Sequence, residues 1–136
     1  MFYICSQQEA AIRRAINPNG VSPPFYSHGL ELTAPQRLLF ISGQVGIRPD
    51  GSIGADMAEQ AALAVGNLTA VLSAAGLTTA NLVKLTFYLV EEADAPAFYQ
   101  AAAALLVDPP AAATMLYVKA LADPALRVEI EAVAAA

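Results

Sequence analysis

The closing segment LRVEIEAVA, residues 126–134, alternates with a period of two. Val128, Ile130 and Ala132 fall on one face of a strand, and Arg127, Glu129 and Glu131 on the other. Such a strand cannot lie between two apolar layers. It requires a sheet with one face covered and the other left to water or to a partner. NLVKLTFYLVE, residues 81–91, repeats the pattern, with Val83, Leu85, Phe87 and Leu89 opposed to Lys84, Thr86, Tyr88 and Val90.

Two helical segments are available to cover the apolar face. From residue 56 to residue 75, Ala61, Ala64, Val65, Leu68, Val71, Leu72 and Ala75 recur three or four apart, and Gly76 is placed to end the helix. A second helix is expected over residues 95–107, ending at Pro109-Pro110. FYSHGLEL and RLLFISGQV read as two strands joined in a hairpin through Thr33-Ala34-Pro35-Gln36, with a tight turn at Asp50-Gly51 behind them. TMLYVKAL supplies a further strand, separated from the last by the Asp123-Pro124 turn. Residues 9–16, EAAIRRAI, are expected to form a turn or two of helix before the Asn17-Pro18-Asn19-Gly20 turn. Residues 1–20 thus read as an N-terminal extension and 21–136 as one α+β domain. The uncovered sheet face then mixes Lys84, Thr86, Tyr88, Tyr117, Lys119, Glu129 and Glu131 with apolar residues. An inter-subunit contact and a solvated face both fit that mixture.

Composition narrows the partners. Of the 136 residues 57% are apolar, above the roughly 45–50% usual even when glycine is counted, which points to surface buried between subunits. No apolar run reaches the length of about 18 residues that a membrane span needs, and the first residues have the wrong charge order for a signal peptide, so a cytoplasmic location is expected. Seven basic against twelve acidic side chains, without a basic cluster, argue against nucleic acid. Cys5 is the single cysteine and nothing near it is a base, so it reads as inert. His28 is the single histidine and no carboxylate stands at ligand spacing from it. Neither a metal nor another cofactor is therefore expected.

YSHGLEL, LLFISGQVGIRPDG, QAALAVGNLTAVLSAAGLTTANLVKLTFYLVE, FYQAAAALLVDPP and LRVEIEAVA together resemble the Rid superfamily, the reactive intermediate deaminases, also called YjgF-type or L-PSP endoribonuclease-like proteins. The resemblance runs from about residue 26 to the C-terminus. It implies a chorismate-mutase-like mixed β-sheet with two helices packed on one face, a barrel-like homotrimer, and small-molecule pockets in the inter-subunit clefts. It also makes one junction conspicuous. Family members carry Asp-Pro-Pro-Pro-Ala-Arg followed by Ser or Thr, the arginine gripping the carboxylate of an imino or enamino acid. Here the frame reads Asp108-Pro109-Pro110-Ala111-Ala112-Ala113-Thr114, with Ala113 at the arginine's place. A guanidinium binds a carboxylate through two parallel charge-assisted hydrogen bonds, which a methyl group cannot make.

The resemblance assigns Glu129 to positioning the hydrolytic water, and Tyr26, Ser42, Gly43, Tyr99, Ala113, Thr114 and Met115 to the ligand pocket, with Tyr99 at the place of a family asparagine. Lys119 is the candidate for a relocated anion contact, and Arg127 reads as an ion-pair partner. Two classes stay open. One is a hydrolase of imines, enamines or related metabolites that departs from the usual 2-imino acid deaminases; the other is a non-catalytic trimer that binds a metabolite or a protein.

Overall fold

The computed structural model describes residues 12–136. Cys5 and the first part of the expected 9–16 helix lie outside them. Six strands and two helices follow in the order β1 (Ile12–Ile16), β2 (Gly29–Thr33), β3 (Leu38–Val45), α1 (Met57–Ala74), β4 (Leu82–Leu89), α2 (Ala95–Ala102), β5 (Ala112–Tyr117) and β6 (Val128–Ala135). The α+β class expected from the strand and helix periods is observed, with four strands in one mixed sheet of order β3-β6-β4-β5. Strand β6 is antiparallel to both β3 and β4, while β4 and β5 run parallel across the α2 connection.

Helix α1 begins where the sequence gives it a cap. The Asp56 carboxylate accepts from the Glu59 N–H at 2.9 Å, and the Glu59 carboxylate reaches back to the Ala55 N–H at 2.7 Å. It ends at Gly76, whose φ of 73° lets Leu77 N–H reach the Leu72 carbonyl at 2.8 Å. Between these ends Ala61, Ala64, Val65, Leu68 and Leu72 are buried against Ile41, Leu82, Leu85, Leu89, Val128 and Ile130.

Four local expectations give way. Residues 12–16 form β1, antiparallel to β2, rather than a helix. The hairpin of β2 with β3 does not form: Ala34 adopts φ 53°, and Gln36 and Arg37 both donate to the Ala136 carbonyl, at 2.8 and 2.9 Å, which delivers β3 to β6. The alternation of β4 breaks at Val83, because a register shift between Leu82 and Lys84 turns Leu82 into the core. The second helix stops at Ala102 and tightens into a 3₁₀ turn, Ala103–Leu105, that buries Leu105. Among the described residues no helix is long and apolar enough to cross a membrane.

Candidate functional site

The register of the sheet sorts the candidate residues. Lys84, Thr86 and Tyr88 lie beside Ala112, Thr114 and Leu116 of β5, and Thr86 and Tyr88 beside Glu131 and Glu129 of β6. These occupy the face away from the helices. Leu85, Phe87 and Leu89 lie beside Ala113, Met115 and Tyr117 on the helix side. Tyr117 therefore belongs to the helix side and not, as the sequence pattern implied, to the polar face.

On the open face Glu129 is held by an absence. The β3 register shifts between Ile41 and Gln44, a bulge containing Ser42 and Gly43, and a Cβ at Gly43 would overlap the Glu129 carboxylate. Only glycine leaves that space. Beside it the Tyr88 hydroxyl donates to the Glu131 carboxylate at 2.5 Å. That hydrogen bond, with burial and the charges of Glu131 and Glu129 behind it, pushes the Tyr88 phenol above its usual value. Tyr88, Glu129 and Glu131 line an open cleft of about 310 Å³, together with Val118, Ala120, Leu121 and Ala122. A second groove, about 340 Å³, lies across Glu131 and includes Phe40, Ser42, Lys84 and Thr86.

The other candidates gather where α2 meets β5. Tyr99 extends its hydroxyl to within 3.7 Å of the Met115 sulfur, and its ring is 5.6 Å from that of Phe98. Ala113 lies two residues from Met115 on the same strand face. Tyr117 is next along that face; burial first, then the Glu92 charge and Tyr99, push its phenol up. Ser27, which is 2% exposed, fastens the Tyr26 segment to this junction: its hydroxyl donates to the Pro110 carbonyl at 2.6 Å and its N–H to the Ala111 carbonyl at 3.1 Å. Tyr26 itself is exposed and stands edge-on to His28, ring centroids 5.5 Å apart. Thr114 points to the opposite face, where its hydroxyl accepts from Lys84 at 3.0 Å. The structure thus brings Tyr99, Ala113 and Met115 together on one side of the sheet, and Gly43 and Glu129 together on the other.

Each arginine has a partner of its own within the chain. Arg13 donates to the Leu82 carbonyl, Arg14 pairs with Glu31, Arg37 donates to the Ala75 carbonyl and Arg48 pairs with Glu59. Arg127, expected in the charged row of β6, precedes that strand and forms a two-point pair with the buried Asp94, at 2.8 and 2.9 Å. Lys119 is exposed, with no hydrogen bond or ion pair among the described residues. No group of three or more potential metal ligands occurs among the described residues.

Sequence reasoning passed over Gln60. It is 2% exposed, its amide nitrogen donates to the Gly54 and Ala125 carbonyls at 3.1 and 2.9 Å, and its oxygen accepts from the Arg127 N–H at 2.8 Å. It therefore braces the loop that leads into β6 and Glu129. A polar residue inside the apolar stripe of α1 was the available signal.

The family model of Endoribonuclease L-PSP matches residues 21–136. The chain belongs to the Rid superfamily. It is 33% identical to Escherichia coli TdcF over 75 residues, 54% of either chain, so it spans about half the length of the curated relatives it matches first. Among solved structures, YyfB of Yersinia pestis, a Rid-family protein described as of unknown function, superposes with a TM-score of 0.80 at 37% identity, covering 91% of this chain and 98% of that one. Escherichia coli TdcF crystallised with bound serine gives 0.68 at 26% identity, covering 88% and 93%.

Proposed function

We propose that this Rid-family chain forms a homotrimer whose subunits meet on the open sheet face and along its β5 edge, and that a small-molecule site lies at each junction between copies. The working unit is residues 21–136, with 1–20 an extension. The observation that carries this reading is the division of the site: Glu129 over Gly43 on one face of the sheet, and Tyr99, Ala113 and Met115 on the other. One chain cannot present both sets to one ligand, whereas two neighbouring copies can. Serine bound to TdcF supports a small ligand for this fold.

The chemistry this arrangement serves is hydrolysis of an imine, an enamine or a related metabolite. Glu129, which forms no ion pair among the described residues, accepts a proton from water as the water attacks the C=N carbon, and returns it to the departing nitrogen. Tyr88 and Glu131 are bonded to each other and leave Glu129 available. Ala113 favours a second reading, a trimer that binds a metabolite without transforming it. Sedimentation equilibrium combined with ammonia release from imines separates the two. The expected outcome is a trimer whose hydrolysis is lost in Glu129→Gln. A monomer at micromolar concentration removes the shared site, and a trimer inert towards every imine tried leaves the binding reading.

A further inference from the structure

We infer that the ligand of this site carries a positive charge and no carboxylate: a protonated imine or amine attached to an apolar or aromatic group. The inference rests on the shared site proposed above and names the ligand class it takes.

The charge on each half of the site leads to it. In the Glu129 cleft two carboxylates and a phenol face the space, and no basic side chain lines it. Lys84 lies across Glu131, in the neighbouring groove, and is bonded to Thr114. In the other half the groups are the phenols of Tyr99 and Tyr117, the Met115 thioether and the Ala113 methyl. Every arginine is committed elsewhere. An anionic ligand entering between these halves meets Glu129 and Glu131, while Lys119, a base in the loop beside the cleft that is unpaired among the described residues, is not one of those that line it; like charges brought together without a counterion are strongly disfavoured. A cationic C=N group meets carboxylates that accept its N–H donors, while its substituent packs on rings and a thioether suited to apolar and aromatic surfaces.

The reaction balances without a co-reactant other than water. Water adds to the carbon of the protonated imine, the C–N bond breaks, the water oxygen remains as the carbonyl of an aldehyde, and both water protons end on nitrogen, which leaves as ammonium. Glu129 carries one of those protons between the two atoms. The reaction class that supplies such a substrate is the two-electron oxidation of a primary amine, which delivers an imine lacking a carboxylate.

Met115 provides the readout, because the chain has three methionines and a carbon-13 methyl spectrum resolves them. The probes are 2-phenylethylammonium and 3-phenylpropionate, similar in shape and opposite in charge. The ammonium probe is expected to shift the Met115 methyl saturably, about tenfold or more tightly than the propionate, and Tyr99→Ala and Glu129→Gln are each expected to weaken it. Tighter or equal binding of the propionate overturns the inference, as does the absence of any shift with either probe. Lys84→Met adds a control: propionate binding that disappears in this variant identifies lysine as the anion anchor and also overturns it.

Catalysis is compared on two imines that differ by one carboxylate. One is 2-phenylethanimine, generated from 2-phenylethylamine by an amine oxidase; the other is 2-imino-3-phenylpropanoate, generated from phenylalanine by an amino-acid oxidase. Faster ammonia release from the first is expected, and faster release from the second overturns the inference. A trimer that binds the ammonium probe but hydrolyses neither imine sustains the ligand class while removing the hydrolase reading, so the two conclusions fail separately.

Discussion

On the helix side of the sheet Leu89, Val128 and Ile130 have no exposed surface at all, while on the open side, along the neighbouring strand, Phe40 is 75% exposed. The same strands build both surfaces. On the covered side, alanines in α1 let the helix approach closely and leucines fill the remaining space, so the energy there is shape and burial. The open side has bonded pairs instead, Tyr88 with Glu131 and Lys84 with Thr114, set among Phe40, Leu38 and Val133. Groups of that kind tolerate burial when their hydrogen bonds are kept, so this face suits a second copy of the chain better than a second helix layer.

The largest effect is expected on the covered face. Leu68 is 0% exposed at the centre of α1, and Leu68→Ala leaves a cavity that costs about 2–5 kcal/mol. Urea unfolding checks this, and the loss should persist when every assembly state is compared at equal occupancy. A loss below about 1 kcal/mol would mean that the helix layer is loosely packed there and that the contrast between the faces is weaker than burial implies.

The open face should respond the other way. Phe40→Asp places a charge among exposed groups within one chain, so the isolated subunit should change by no more than about 0.5 kcal/mol. The proposed trimer buries that same charge between copies and should dissociate. Light scattering during size-exclusion chromatography is the measurement. A Phe40→Asp variant that keeps the wild-type mass would remove this face from the assembly, and a variant that unfolds would show that the face is needed within one subunit.

The sequence disclosed the two faces unequally. Alternation in β4 and β6 and the helical stripe of α1 located the covered face, because burial is written directly into residue type along a fixed period. Pairing was harder to read. The β2–β3 hairpin looked sound because Thr33-Ala34-Pro35-Gln36 has turn chemistry, but the turn is aimed by bonds to Ala136, about a hundred residues away in sequence. Glu129 and Gly43 were both identifiable as candidates, yet their relation depends on a bulge that no local pattern announces. The separation of Thr114 from Ala113 and Met115 follows from β5 starting at Ala112, inside what looked like a loop of alanines. Alternation extends the charged row of β6 to Arg127; its partner Asp94 stands at the start of α2, where only the tertiary fold brings it.

The smallest expected effect tests whether the open face behaves as a connected set of groups. The Tyr88 phenol is raised chiefly by its hydrogen bond to Glu131, then by burial and by the charges of Glu131 and Glu129. Its folded value therefore lies above the ordinary phenol value of about 10. For a group shifted upward, the stability it lends is complete below the unfolded value and is lost as pH rises through the folded one, so the contribution is intact at neutral pH and fades only in alkali. In an ultraviolet difference titration Tyr88 and Tyr117 should both ionise late, Tyr117 because of burial and Glu92. Glu131→Gln removes the charge and the ionic acceptor from Tyr88 alone and should bring Tyr88 down towards the ordinary value, leaving Tyr117 in place. The same substitution on the covered face has no counterpart, since the side chains buried there by β4 and β6 carry no titrating group. If Glu131→Gln moves both phenols together, the two halves of the site communicate within one chain, and the division of the site between faces is less complete than the register of the strands implies.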